Sequence, residues 1–212
     1  MGPAAALNTS PGDDGLLPVA VAGTRVLFDG VAAPLVSVSA TRVTAIVPYV
    51  VDGKTSTQAV IEYNGDKSAA VTLAVVAAQP GVFTVDGSGV GQAQASNDDG
   101  TANSADAPAA PGMVVTVLVT GLGQIDPPGT DGLIATDTQP TPLLPVAVLL
   151  NGVEVEFDGA RVASGSAAGY FAVQFRVPDG LDAGVAEIRI RVGDSTLSQP
   201  GVTIAVAGGS AN

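Results

Sequence analysis

Glycine and proline interrupt this chain so often that no apolar pattern of helical period survives long enough to make a helix. Between the 27 Gly and 15 Pro lie short Val-, Thr- and Ile-rich runs. Such runs suit the pleated, half-buried surface of a strand. They recur about every 8–12 residues with turn signals between them, which is the pattern of a β-sandwich. The spacing predicts strands at Val19–Val21, Arg25–Phe28, Val31–Val38, Arg42–Val47, Gln58–Tyr63 and Ala69–Val76. Pro34 makes the third an edge or a bend. Asn64-Gly65, between two such runs, is the strongest hairpin signal. The fold class expected is all-β: two tandem immunoglobulin-like β-sandwiches joined by a β-hairpin linker.

The tandem arrangement comes from an internal repeat. Leu17-Pro18-Val19-Ala20-Val21 matches Leu144-Pro145-Val146-Ala147-Val148. Phe28-Asp29-Gly30 matches Phe157-Asp158-Gly159, and Val47-Pro48 matches Val177-Pro178. The offset is nearly constant, so the repeat has the size of a domain. The expected layout is an arm over residues 1–15, domain 1 over 16–81, a hairpin linker over 82–110, domain 2 over 111–207 and a tail over 208–212. The linker hairpin joins Val90–Ala95 to Thr101–Ala105 through Asn97-Asp98-Asp99-Gly100. Domain 2 opens with the strand Met113–Thr120, for which domain 1 has no counterpart. A sandwich lacking an edge strand leaves unpaired backbone groups. Three readings follow: the chain is a fragment, the arm folds back, or another chain supplies the strand by β-augmentation.

Pro34-Leu35-Val36-Ser37-Val38-Ser39, Val47-Pro48 and Gln79-Pro80-Gly81-Val82-Phe83-Thr84 carry a resemblance. So do Asn97-Asp98-Asp99-Gly100-Thr101-Ala102-Asn103-Ser104-Ala105-Asp106, Pro111-Gly112 and Thr120-Gly121-Leu122-Gly123. In order and spacing they resemble a tandem Ig-like module found at the C-termini of many secreted acidobacterial proteins. That module is similar to the IPT/TIG branch of immunoglobulin-like sandwiches. The resemblance spans Leu16 to Ala207 and departs from the family at the absent first strand of domain 1. It implies an extracellular or cell-surface setting and a structural or adhesive role, and it brings no catalytic residues.

The chain has no His and no Cys, which removes Ser-His-Asp triads, Cys-His pairs and the common zinc sites. Net charge is −12, from 20 acidic and 8 basic residues. That argues against nucleic acid, whose phosphates require Lys and Arg. No apolar run reaches the roughly 20 residues of a membrane-spanning helix, so no membrane insertion is expected. Met1-Gly2-Pro3 opens no signal peptide. Carboxylate chemistry remains. Glu154 and Glu156 are two apart, and on one strand they share a face. A glycosidase pair also needs a cleft and a separation of about 5–10 Å, and aromatics are only 4% of the chain. The pair reads as a solvated strand face, and no enzyme activity is expected.

Asn97, Asp98, Asp99 and Asn103 are the metal candidates, since calcium takes clustered Asp and Asn oxygens. The competing reading is a plain Asx-type turn. No other cofactor is expected. The loop Gly123–Pro142, with Asp126, Asp131 and Asp137, has the length of a binding loop. Lys54 and Lys67 sit in turns, which argues against a buried isopeptide bond. Gly87-Ser88-Gly89-Val90-Gly91 precedes no helix and so is not a phosphate loop.

Val19, Val21, Val26, Phe28, Ile46, Ile61 and Leu73 are expected to fill the first core. Val115, Val117, Val119, Val146, Val148, Phe175, Ile188, Ile190 and Ile204 are expected to fill the second. The function expected is a non-enzymatic extracellular spacer, stalk or filament subunit. Two alternatives stand beside it: a carbohydrate or cell-surface ligand binder reading through Gly123–Pro142, and a subunit that self-associates through the open sheet edge of domain 1.

Overall fold

The computed structural model describes residues 2–136 and 139–208. The chain is all-β: its strands form several sheets, and among the described residues the helical structure is a single 3-10 turn at Tyr49–Val51. The chain forms two compact units. Unit 1 takes in residues 2–77, 126–136, 139–140 and 164–169, and unit 2 takes in 78–125, 141–163 and 170–208. The stretch expected as a linker, 82–110, thus lies within unit 2. Of the expected tail, only Gly208 is among the described residues.

In unit 1, a small antiparallel sheet holds β1 (Leu7–Asn8), β3 (Leu35–Val38) and β4 (Val43–Ala45), with β3 in the middle. Leu7 lies opposite Val38 and Asn8 opposite Ser37. The stretch expected as an arm therefore contributes a strand, and Thr9 extends the contact by donating its backbone N–H to the Val36 carbonyl at 3.0 Å. A larger sheet is built on β2 (Thr24–Phe28) and β5 (Ser56–Tyr63), with Val26 opposite Ile61 and Phe28 opposite Ala59. The outer side of β5 is taken by Asp66–Lys67 and by β6 (Val71–Ala74). The Asn64-Gly65 turn adopts positive φ at both residues, 52° and 92°, which a two-residue hairpin requires.

The core of unit 1 is Val26, Phe28, Ala33, Leu35, Val38 and Val51, with Val21, Val43, Ala45, Ala59 and Val75 packed partly against it. Three residues expected there are exposed instead: Val19 (43%), Ile61 (36%) and Leu73 (41%). Alternation places Ile61 on the same face as Val26. The small sheet has strands of only two to four residues, too short to cover that whole face.

Residues 126–136 do not hang free. Leu17 donates to the Gly132 carbonyl at 2.9 Å, and Ile134 donates to that of Gly15 at 3.0 Å. Ala135 in turn donates to Ser166 at 2.9 Å. Three separated stretches of chain thus lie side by side within unit 1.

Unit 2 is the better-filled body. One sheet runs in the order β7 (Ala95–Asn97), β8 (Val114–Thr120), β11 (Phe171–Arg176), β10 (Phe157–Val162). The other runs from Gly91–Gln92 through β13 (Val202–Val206), β12 (Gly184–Val192) and β9 (Val146–Leu150) to Val153–Glu154. The Gly91–Gln92 pairing with β13 is parallel and its neighbours are antiparallel. Buried positions alternate strictly along β8 and β11, which bury Val115, Val117, Val119, Phe171, Val173 and Phe175. Val148, Ile188, Ile190 and Ile204 are buried from the other sheet, while Val146 is only half-buried. Each phenylalanine contributes about 1.5–3 kcal/mol by burial.

Candidate functional site

The densest polar constellation gathers where the chain leaves one sheet of unit 2 for the other. Ala93 still pairs with β13, donating to the Thr203 carbonyl at 2.7 Å. The chain then crosses to pair Ala95–Asn97 with β8 and returns to β13 at Ala109, which donates to Ala205 at 3.0 Å. Asn103 fills the gap. Its Oδ1 accepts the Ala205 backbone N–H at 2.8 Å, and its Nδ2 donates to the Ala205 carbonyl at 2.8 Å. A side-chain amide thus makes the two bonds that a neighbouring strand would make. Gln92 Nε2 donates to Asn103 Oδ1 at 3.0 Å, and Asn103 Nδ2 donates to Asn97 Oδ1 at 3.0 Å. Asn97 Nδ2 ties the turn by donating to Thr101 Oγ1 and to the Ala107 carbonyl, both at 3.0 Å. Asn97 and Asn103 are both buried.

These are two of the four residues that the sequence offers to calcium. Their amide oxygens already accept protein N–H groups, and the other two point elsewhere. Asp99 Oδ1 accepts from the Thr101 hydroxyl at 2.6 Å and from its backbone N–H at 2.9 Å. The hydroxyl first, then the N–H, lowers the Asp99 pKa. Asp98 accepts from Val114 N at 3.4 Å. Among the described residues no three acidic side chains converge as a metal-ligand group. The expected turn itself is present, with Asn97 donating to Thr101 at 2.9 Å and Gly100 to Asn97 at 3.0 Å.

The same use of carboxylates recurs at other turns. Asp29 caps a hairpin: it accepts from Gln58 N at 2.8 Å, Lys54 Nζ at 2.9 Å and Thr57 Oγ1 at 2.9 Å. The Gln58 N–H, then Lys54, then Thr57 hold its pKa down at about 2. Lys54 is therefore in a surface ion pair, and Lys67 lies 4.0 Å from Glu62. Asp86 draws in the Gly87-Ser88-Gly89 stretch by accepting from Ser88 N at 3.0 Å and Ser88 Oγ at 2.7 Å. The backbone bond and then the hydroxyl lower its pKa. Asp131 Oδ1 accepts from Tyr49 N at 2.8 Å, at the start of the 3-10 turn. Burial, and then the Asp131 charge, push the Tyr49 phenol up to about 12. Asp126 is exposed, and Asp137 lies outside the described residues.

The spacing of Glu154 and Glu156 predicts one shared strand face, and the structure does not give them one. The chain changes sheets between them: Val153–Glu154 pairs with β9, and β10 begins at Phe157. Glu154 meets Arg191 at 2.6 Å, and Glu156 meets Arg176 at 3.4 Å.

One clasp has no signal in the sequence. Gln199 Oε1 accepts from Val82 N at 3.0 Å and its Nε2 donates to the Val82 carbonyl at 2.6 Å, across 117 positions. Gln199-Pro200-Gly201 reads only as a turn. Nearby in sequence, the Phe83 ring stacks on that of Tyr170 with centroids 5.2 Å apart. No helix among the described residues is long and apolar enough to cross a membrane. Comparisons with family models, with curated proteins and with solved structures find no match to this chain.

Proposed function

We propose that this chain is a non-enzymatic structural or adhesive module of the extracellular or cell-surface kind, built from two Ig-like sandwiches of the IPT/TIG type. The observation that carries this reading is the employment of its polar side chains. Asn103 and Gln199 clasp backbone across 102 and 117 positions, and Asn97 ties its own turn to Ala107, ten positions on. Asp29, Asp86 and Asp99 are held ionised by turn N–H groups and hydroxyls. A general acid or base instead needs a pKa near the working pH. Side chains spent on fixing loops suit a stiff spacer.

A second reading, carbohydrate or cell-surface ligand binding, draws on the half-buried Phe83–Tyr170 stack, since aromatic faces are what sugars pack on. A glycan array probed with the fluorescently labelled chain decides between them. A spacer gives no saturable binding. Saturable binding lost in Tyr170→Ala, with folding retained, replaces the spacer with the binder.

A further inference from the structure

The outer edge of β6 in unit 1 is an open sheet edge. Val75 N donates to the Thr55 carbonyl at 3.0 Å. That fixes the parity of the ladder: residues 71, 73 and 75 turn their backbone groups toward β5. The N–H and C=O groups of Thr72 and Ala74 therefore point outward, and no strand among the described residues pairs with them. All four residues of β6 are exposed, Val71 by 57% and Leu73 by 41%. Edge strands are ordinarily guarded by charge, by proline or by extreme shortness. Here the chain carries no charged residue between Lys67 and Asp86, and Ala69–Ala78 contains no proline.

We propose that this edge binds a second copy of the chain, β6 against β6, antiparallel about a two-fold axis at Leu73. In that register Thr72 of one copy lies opposite Ala74 of the other, and the reverse. Their outward N–H and C=O groups then satisfy one another as two hydrogen-bonded pairs. Leu73 meets Leu73 at the non-hydrogen-bonded position, where side chains come closest. Val71 meets Val75 on the same face, and the exposed apolar edge is buried. The pairing is isologous, so it closes at two copies.

Charge selects the occupant. Two chains of net charge −12 repel, and they approach at least cost through a strip bearing no charge. A foreign strand chosen by charge complementarity would need acidic groups along β6 to face its own Lys and Arg, and β6 has none. The proposal is independent of whether the module is a spacer or a binder.

The test is sedimentation equilibrium of the intact chain over a wide concentration range, in low and high salt. The average mass is expected to rise from one chain, 20.7 kDa, to two, and to do so at lower concentration in high salt. Leu73→Lys sets two ammonium groups against each other at the axis and abolishes the dimer. Thr72→Pro removes one outward N–H per copy without touching the ladder to β5. It weakens the dimer by about 5- to 150-fold, since two hydrogen bonds are lost across the axis. Both variants keep the wild-type circular dichroism. Val153→Lys, at another exposed edge (Val153 68% exposed), leaves the dimer intact. A wild type that stays monomeric to its solubility limit overturns the proposal. So does a dimer indifferent to both β6 variants, or assembly that grows past two copies.

Discussion

Replacing Asn103 by leucine tests whether a side-chain amide completes the β13 ladder. The branching and the number of side-chain heavy atoms are kept, but both polar atoms go. Two buried groups lose the one protein partner the structure gives them: the Ala205 N–H and Asn97 Oδ1. The Ala205 carbonyl keeps Ala109 N, and Gln92 Nε2 keeps the Asn103 backbone carbonyl at 3.0 Å. Each buried orphan costs about 1–3 kcal/mol, so N103L should destabilise unit 2 by roughly 2–6 kcal/mol. Urea denaturation followed by circular dichroism measures this, fitted with a separate transition for each unit because a two-unit chain need not unfold in one step. Asn103→Asp keeps the acceptor and loses the donor while burying a charge, so it should rescue nothing. A loss below about 1 kcal/mol in N103L would refute the reasoning, since water would then be serving Ala205. Calcium bears on the same residues: if their oxygens are committed to protein donors, added calcium or a chelator leaves the melting temperature of the wild type unchanged.

The Asp29 carboxyl has a folded pKa of about 2 against an ordinary 3.8. A depressed carboxylate stabilises above its unfolded pKa and loses that contribution as pH falls through the folded one. Urea midpoints should therefore drop between about pH 4 and pH 2, and Asp29→Asn should flatten the part of that drop due to this hairpin. Phe175→Ala empties a fully buried position facing Val115 and should cost about 3–5 kcal/mol in the unit 2 transition. Gln199→Met removes the Val82 clasp. Because that site is only part-buried, water replaces some of what is lost, and the cost should be about 1–2 kcal/mol, smaller than that of N103L by the same assay.

The β character and most strand positions were legible because breakers and alternation are local properties. Val115, Val117 and Val119 alternate in the sequence and alternate in burial. Alternation names a face without saying whether anything covers it. Ile61 and Leu73 stand on the core-facing side of their sheet and remain exposed because the opposing strands are short. The repeat misleads in the same way. Phe28-Asp29-Gly30 closes a tight turn with φ of 48° at Asp29 and 86° at Gly30, whereas Phe157-Asp158-Gly159 runs inside β10 with a shift of register. Identical letters serve different backbones because the pairing partners differ. At the polar cluster, composition places Asn97 and Asn103 near Asp98 and Asp99. It does not say that the amides turn inward while the carboxylates stay at the surface. That choice depends on β13, about a hundred residues on in the sequence.

The two amide clasps share a physical logic. A strand that changes sheets must give up one ladder before it joins the next, and the strand it leaves retains buried N–H and C=O groups at the vacated position. Those groups need a donor and an acceptor side by side. Carboxylates offer only acceptors and lysine only donors, but a primary amide carries both. Asn103 serves Ala205 in this way, and Gln199 gives Val82 the same donor–acceptor pair of bonds. The acidic residues take the complementary task. At the turns of Asp29, Asp86 and Asp99 the unpaired groups are N–H donors and hydroxyls, which acceptors satisfy. A chain with few aromatics and many small apolar residues has limited packing with which to fix its loops. It fixes them with hydrogen bonds matched in kind to what each turn leaves unpaired.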